Sequence, residues 1–372
     1  MNGFGIYIHW PFCRSKCPYC DFVSMPAKNF DFQIWQNAYV KSLRLYAGRT
    51  ADKRVSSIFF GGGTPSLMTE EVVSFVIETI RSLWTVEKNV EISMEINPCS
   101  VDVLKMQALK KAGINRLSVG VQALNDKDLK FLGRLHSVEQ ALSVLKNAER
   151  IFPRVSADFI YGRPNQRLND WKEELERILE LNLRHLSLYQ LTIEEGTVFY
   201  KKGIQPPEDE LSADLFELTD RMTYQAGLER YEVSNHAVQG EECRHNLLYW
   251  HAGEWIGIGP AAHGRFTQNG SFYATAQDSS ITDWAKNQKA SEIVLTTKEK
   301  AEELILMALR TREGINRKSF YEVIKEEPEA FMHTGTLQDY QTDGFLICDQ
   351  TGIRTTAKGL MILDALCRTL LI

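Results

Sequence analysis

The sequence predicts an α/β fold: six βα units forming a barrel-like parallel sheet, followed by a smaller, mainly helical C-terminal domain with a β-hairpin. Three observations predict it. Apolar runs of strand length alternate with helix-length amphipathic segments through the first two thirds of the chain. The reactive and unusual residues of that region fall at the carboxyl ends of the runs. Beyond them the pattern changes to helical periodicity interrupted by one turn-linked pair of short strands.

The strand segments are Gly5–Trp10, Val55–Phe60, Val90–Ile96, Arg116–Val121, Val155–Ile160 and His185–Leu191. They are rich in Ile, Val, Leu and aromatics, as strands buried on both faces are. Helix starts are marked by Thr69 before Glu70 and Glu71, by Asn125 before Asp126, and by Asp170 with Glu173 spaced as a capping box. After Pro206 and Pro207 a helix from Glu208 to Ala226 leads to a short strand, Tyr231–Ser234. The first domain is placed at 1–235 and the second at 236–372. In the second, Lys298–Arg310, Arg317–Lys325 and Lys358–Leu370 read as helices, with Phe345–Cys348 and Ile353–Thr356 flanking the turn Asp349 to Gly352. Three helices and a hairpin resemble a winged helix, an analogy of fold only.

At 372 residues the chain can bury a large core, and its formal charge of -5 gives no sign of a general polyanion-binding surface, so nucleic acid is not an expected partner. Met1 to Trp10 lacks a basic region followed by a signal-length apolar run, and no apolar stretch reaches bilayer-spanning length, so a cytoplasmic protein is expected. Of seven cysteines, three lie within eight residues while Cys99, Cys243, Cys348 and Cys367 are scattered. Without an export signal that pattern favours metal over disulfides.

The run Cys13-Arg-Ser-Lys-Cys17-Pro-Tyr-Cys20 follows the first strand. Three thiolates on one tight loop suit three corners of a [4Fe–4S] cubane and leave one iron open. A zinc site completed by His9 is the alternative on these residues alone. Gly61, Gly62, Gly63, Thr64 and Pro65 follow the second strand, Glu95 ends the third, Gln122 follows the fourth, Asp158 lies in the fifth and Gln190 ends the sixth. Bare glycine backbone admits close approach of a polar ligand, or simply makes a tight strand-to-helix turn.

The C-x3-C-x2-C loop after a first strand resembles the radical SAM superfamily, which implies a partial (β/α)6 barrel, a [4Fe–4S] cluster and S-adenosylmethionine (SAM) chelated at the open iron. It further implies SAM contacts from Tyr7, Tyr19, Gly62, Gly63, Thr64, Glu95, Gln122, Arg134 and Asp158. Over nearly its whole length the chain is similar to the oxygen-independent coproporphyrinogen III oxidase-like family, through Ile6-Tyr-Ile-His-Trp-Pro-Phe-Cys13, Phe60-Gly-Gly-Gly-Thr-Pro65 and Ser118-Val-Gly-Val-Gln122. The decarboxylating oxidases of that family carry a fourth cysteine where this chain has Phe22. The heme-chaperone branch has C-x3-C-x2-C-x-F and an H-N-x-x-Y-W motif, here His245, Asn246, Tyr249 and Trp250.

That resemblance implies heme as a third cofactor, His245 as its iron ligand, and partners that donate heme or accept it, such as respiratory hemoproteins. It implies no catalytic residue and makes coproporphyrinogen oxidase activity the competing expectation. Read without the family, a His-Asn pair before two aromatics is a hydrogen-bonded core cluster. Cys243, His236, His251 and His263 are the other candidate ligands, and Gly257-Ile-Gly259-Pro260-Ala-Ala-His263 is expected to return the backbone to the SAM pocket. A third reading takes the C-terminal hairpin as a nucleic-acid wing with Arg317, Arg354 and Lys358, a low basic density. Peripheral membrane contact and a homodimer stay open.

Overall fold

The computed structural model describes residues 3–27 and 31–372, so Met1, which opens the N-terminal stretch read above, lies outside it. Six parallel strands run in chain order across the sheet: β1 (Phe4–Trp10), β2 (Arg54–Gly62), β3 (Thr85–Ile96), β4 (Arg116–Gln122), β5 (Arg154–Tyr161) and β6 (His185–Gln190). Each agrees with a sequence-predicted strand to within a few residues at its ends. A seventh, β7 (Glu254–Ile258), pairs in parallel with the free side of β1. Beyond β7 the sheet continues antiparallel through His263–Gln268, Ser271–Gln277 and Ala290–Leu295, strands the periodicity did not reveal.

The two faces of the parallel strands differ in chemistry. Ile6, Ile8, Ile58, Phe60, Ile92, Met94, Leu117, Val119, Ala157, Phe159, Leu186 and Leu188 belong to the main apolar core. The alternate positions, Gly5, Tyr7, Ser57, Glu91, Glu95, Arg116, Ser118, Asp158 and Ser187, are polar or lack a side chain. Successive strand residues point to opposite faces, so the barrel is apolar outside and polar within. Both faces are buried, as expected, but only the outer one is apolar.

Three local readings also change. Tyr231–Ser234 is a turn between Glu229–Arg230 and Asn235–Ala237, because the Glu232 carboxylate accepts from the Asn235 amide while Tyr231 N–H donates to Asn235 O at 3.0 Å. The helix signalled by Asp170 begins earlier, at Leu168, so Asp170 is not the N-cap but the third helical residue of a capping box, accepting from Arg167 N–H at 3.0 Å. Lys358–Leu370 breaks at Ile362 into Ala357–Met361 and Leu363–Leu370. A Cβ on Gly359 would meet Phe345 O at 2.1 Å, so this first piece rests directly on the hairpin backbone.

The hairpin itself, Leu346–Cys348 with Gly352–Thr355, falls where expected and gains a third strand, Ile315–Asn316. A second apolar core built from Ala301 to Leu370 covers this region. Residue 235, where the sequence reading ends the first domain, lies inside the large sheet, which continues to Leu295. Among the described residues no helix is long and apolar enough to cross a membrane.

Candidate functional site

The cysteine loop is pinned at both ends by backbone. Phe12–Cys13 pairs with Met25–Pro26, Ala27 N–H donates to Cys13 O at 3.1 Å, and Cys20 N–H closes a turn on Cys17 O at 3.2 Å. From β2, Gly63 N–H donates to Trp10 O at 2.7 Å and Thr64 N–H to Phe12 O at 2.8 Å. A Cβ on Gly63 would stand 2.7 Å from Phe12 O and 3.0 Å from Cys13 Sγ. The glycines therefore let the β2 turn lie against the loop that carries the thiols.

Burial raises the Cys13 thiol, opposed by hydrogen bonds with Thr64 and Ser24, and burial pushes Cys20 up to about 11. Such thiols become ligands only when a cation displaces their protons. His9 does not complete a zinc site, since Nδ1 is 3.1 Å from Tyr7 Oη and Nε2 2.9 Å from Val23 O. Among the described residues no three His, Cys, Asp or Glu gather closely enough to share one ion. Three thiols spaced along a loop match a polynuclear cluster, in which each takes its own corner.

Arg134 crosses beneath the loop. Its Nη2 donates to Gly120 O at 2.8 Å, its Nη1 lies 3.5 Å from both Cys17 Sγ and Tyr19 Oη, and its Nε is buried without a hydrogen-bond partner. Gln122 sits at φ 77° just after a register shift between β4 and β5, which turns the end of β4. A narrow crevice beside the loop is lined by Cys17, Thr64, Asn97, Cys99 and Arg134.

Deeper in the barrel a lumen is lined by Tyr7, Phe59, Glu95, Arg116, Ser118, Asp158, His245 and Tyr249, among others. Glu95 accepts from Gly62 N–H at 3.2 Å, which joins the glycine turn to the lumen. Burial, then the charge of Asp158, raises Glu95 to about 8. Burial also raises Asp158, opposed by hydrogen bonds from Ser187 and Ser118. Two buried carboxylates held up in this way favour a cationic ligand, and SAM carries an ammonium and a sulfonium. Thiols, glycine turn, Arg134 and carboxylates thus fit a cluster with SAM.

The remaining expected contributors divide. Gln190 turns away, its Nε2 donating to Ser212 O at 3.3 Å. Gly259, at φ 120°, brings the stretch after β7 back to the cysteine end, where its Cβ would stand 2.4 Å from His9 O. Sequence reasoning missed Ser57, Glu91, Arg116 and Tyr189, which line or brace the lumen. Their signal was the alternate-residue polarity within the strands.

The H-N-x-x-Y-W segment forms the helix Arg244–Trp250. His245 is 1 % exposed, with Nδ1 2.8 Å from Ser57 Oγ and Nε2 2.5 Å from Tyr249 Oη. Its ring stacks on Phe59 at 5.2 Å. Burial, then Arg116, lowers it to about 3, so it is neutral at physiological pH. Asn246 and Tyr249 line the lumen, whereas Trp250 does not. A heme iron does not fit at His245 in this arrangement, because both imidazole nitrogens are committed to hydroxyl groups, Nδ1 to Ser57 and Nε2 to Tyr249.

Of the alternative ligands, His236 is buried against Thr223 Oγ1 at 2.9 Å, His251 lies 3.4 Å from Glu313, and His263 is exposed. Cys243 is fully buried and its thiol donates to Glu91 at 3.5 Å. The cations of the C-terminal wing are engaged locally: Arg317 with Glu327 and Glu329, Arg354 with Asp349, and Lys358 over the Phe345 ring.

Comparison with known proteins identifies the family. Residues 7–178 match the radical SAM superfamily and residues 295–362 the HemN C-terminal domain. "Heme chaperone HemW" of Buchnera aphidicola subsp. Acyrthosiphon pisum is 34% identical, over 97% of this chain and 96% of that protein. The Escherichia coli protein of that name is 38% identical over 70% of each. "Radical S-adenosyl methionine domain-containing protein 1, mitochondrial" of Bos taurus is 34% identical over 98% of this chain and 87% of its own. The fold is shared with coproporphyrinogen III oxidase (HemN) from Escherichia coli, at a TM-score of 0.83 and 20% identity, covering 99% of this chain and 89% of that one. With relatives of this identity over almost its full length, the chain belongs to the HemW/HemN-like family of radical SAM proteins.

Proposed function

We propose that this protein is a heme chaperone that binds heme and passes it to an acceptor hemoprotein, such as a respiratory enzyme, while carrying a SAM-ligated [4Fe–4S] cluster. The observation that carries the reading is Phe22. It stands where decarboxylating oxidases of the resembling family keep a cysteine, and it is 55% exposed on the cluster loop. An exposed phenylalanine offers apolar contact area at the mouth of the site and no ligand atom. The relatives named heme chaperones support the same assignment.

In this reading Cys13, Cys17 and Cys20 hold the cluster. Gly62, Gly63 and Thr64 provide close backbone approach, and Glu95 and Asp158 balance the positive charge of SAM. Tyr7, Tyr19, Gln122 and Arg134 supply the remaining polar contacts. When bound, cluster and SAM provide a reducible iron centre and a source of an organic radical. The chain's own part is to shield this centre: Trp10, Phe12, Trp35 and Trp284 pack around the base of the loop.

The deciding experiment is anaerobic reconstitution followed, on one sample, by heme titration, transfer of heme to an apo-hemoprotein, and incubation with SAM and coproporphyrinogen III. A Soret shift with heme transfer and no protoporphyrinogen is the expected result. Protoporphyrinogen formed together with 5′-deoxyadenosine would replace the chaperone by the oxidase.

A further inference from the structure

We propose that His245 is a positioning residue of the barrel lumen and not a ligand to heme iron: it holds the Tyr249 hydroxyl at the lumen floor, facing the ligand bound at Glu95 and Asp158. The inference rests on the reading of SAM at those carboxylates. It departs from the heme site that the sequence resemblance implies.

Topology comes first. Asn235–Ala237 pairs with β6 at one side of the incomplete barrel, and β7 pairs with β1 at the other. The connection between them must cross the open barrel, and the helix Arg244–Trp250 is what crosses. It is fastened there by buried groups. Glu91, 3% exposed, accepts from His245 N–H at 3.3 Å and from the Cys243 thiol at 3.5 Å, and pairs with Arg154 Nη1 at 2.5 Å. A Cβ on Gly5 would lie 2.9 Å from Leu248 and 3.2 Å from His245 Cε1. The helix is therefore packed closely onto the β1 backbone, and His245 reaches the lumen wall from there.

Hydrogen bonding points the same way. In the tautomer that carries its proton on Nε2, Ser57 Oγ–H donates to Nδ1, the imidazole donates to the Tyr249 oxygen, and the phenolic proton is free to donate into the lumen; this is the tautomer the proposal requires. Burial keeps the phenol protonated and the imidazole neutral. The lumen chemistry is mixed: this space offers the carboxyl groups of Glu95 and Asp158, the hydroxyls of Ser118 and Ser187, the Arg116 guanidinium and the rings of Tyr7 and Phe59. It suits a ligand with a positive charge for the carboxylates and an acceptor atom for Tyr249, as in an amino acid joined to a nucleoside.

The test uses cluster-reconstituted full-length protein, with S-adenosylhomocysteine titrated by calorimetry and heme by absorbance. Tyr249→Phe and His245→Ala are each expected to weaken S-adenosylhomocysteine about tenfold, the effect of one lost hydrogen bond in a dry site. His245→Gln, whose amide can donate to Tyr249, is expected to recover most of that loss, which a merely structural role would not allow. All three should keep the heme Soret shift. The proposal is overturned if His245→Ala and His245→Gln both lose the Soret shift with iron and sulfide intact, or if Tyr249→Phe binds S-adenosylhomocysteine as the parent does. A parent protein that gives no Soret shift would reject the chaperone reading alone, and the nucleoside titrations would still decide the role of His245.

Discussion

Arg134 Nη1 lies 3.5 Å from Cys17 Sγ while Nη2 donates to Gly120 O at 2.8 Å, so one guanidinium ties the cysteine loop to the end of β4. Lysine keeps the charge but cannot reach both partners from one planar group. Arg134→Lys is expected to assemble a cluster yet lose it several-fold faster to a chelator in air. Bleaching of the cluster's visible absorbance measures the rate. A rate equal to that of the parent would show that the guanidinium contact has no hold on the loop.

Gly63 makes a steric prediction. Its Cβ would meet Phe12 O at 2.7 Å, and a backbone carbonyl cannot swing aside as a side-chain end can. Gly63→Ala should cost about 1–3 kcal/mol in the cluster-free protein, as overpacking does. It should also lower iron incorporation. Gly48, with nothing within 4 Å of its Cβ position, is the control: Gly48→Ala should be neutral or slightly stabilising. Thermal melts and iron analysis of the two variants separate local crowding from a general glycine effect.

These two sites show what was legible in the sequence. The thiols and glycines were visible because their chemistry is carried by residue type and spacing, and strands β1 to β6 were visible because their outward residues are strongly apolar, whereas β7 was not read as a strand. The lumen was not. Ser57, Glu91 and Arg116 are ordinary polar residues one by one, and they become a lining only when alternation along a strand is combined with the order of strands around the barrel. The role of the Arg244–Trp250 helix depends on which sheet edges its flanking strands join. The strands beyond β7 escaped because Ser271–Gln277 and Ala290–Leu295 mix exposed and buried residues without a clean period.

Glu95 gives a pH prediction. Its pKa rises on folding to about 8, so the native state holds a proton that the unfolded chain releases near the ordinary carboxylate value. Stability of the ligand-free protein is therefore greatest below that ordinary value and falls as pH rises toward and through 8. Glu95→Gln, a neutral mimic, removes the dependence. Because the lumen can admit water, we expect the variant to gain about 1–2 kcal/mol over the parent at pH 8.5 and little at pH 5. Chemical denaturation at the two pH values measures this, and parallel curves for both proteins would refute the assignment.

The last prediction concerns the barrel floor. Glu91 is nearly fully buried and serves three groups at once: Arg154, the Cys243 thiol and the backbone N–H of His245 at the start of the floor helix. Removing the carboxylate leaves Arg154 paired with Glu241 alone, and the buried Cys243 thiol and the first turn of the helix without their acceptor. Glu91→Ala should cost about 1–3 kcal/mol, the penalty of leaving buried polar groups unsatisfied. Glu91→Gln should cost less, since its amide oxygen still accepts from His245 N–H. Hydrogen exchange distinguishes a local from a global effect. If the helix is fastened to the barrel through this one side chain, residues 244–250 should exchange faster in Glu91→Gln while β2 and β4 stay protected. Equal acceleration everywhere would mean that Glu91 supports the barrel as a whole and does not specifically anchor its floor.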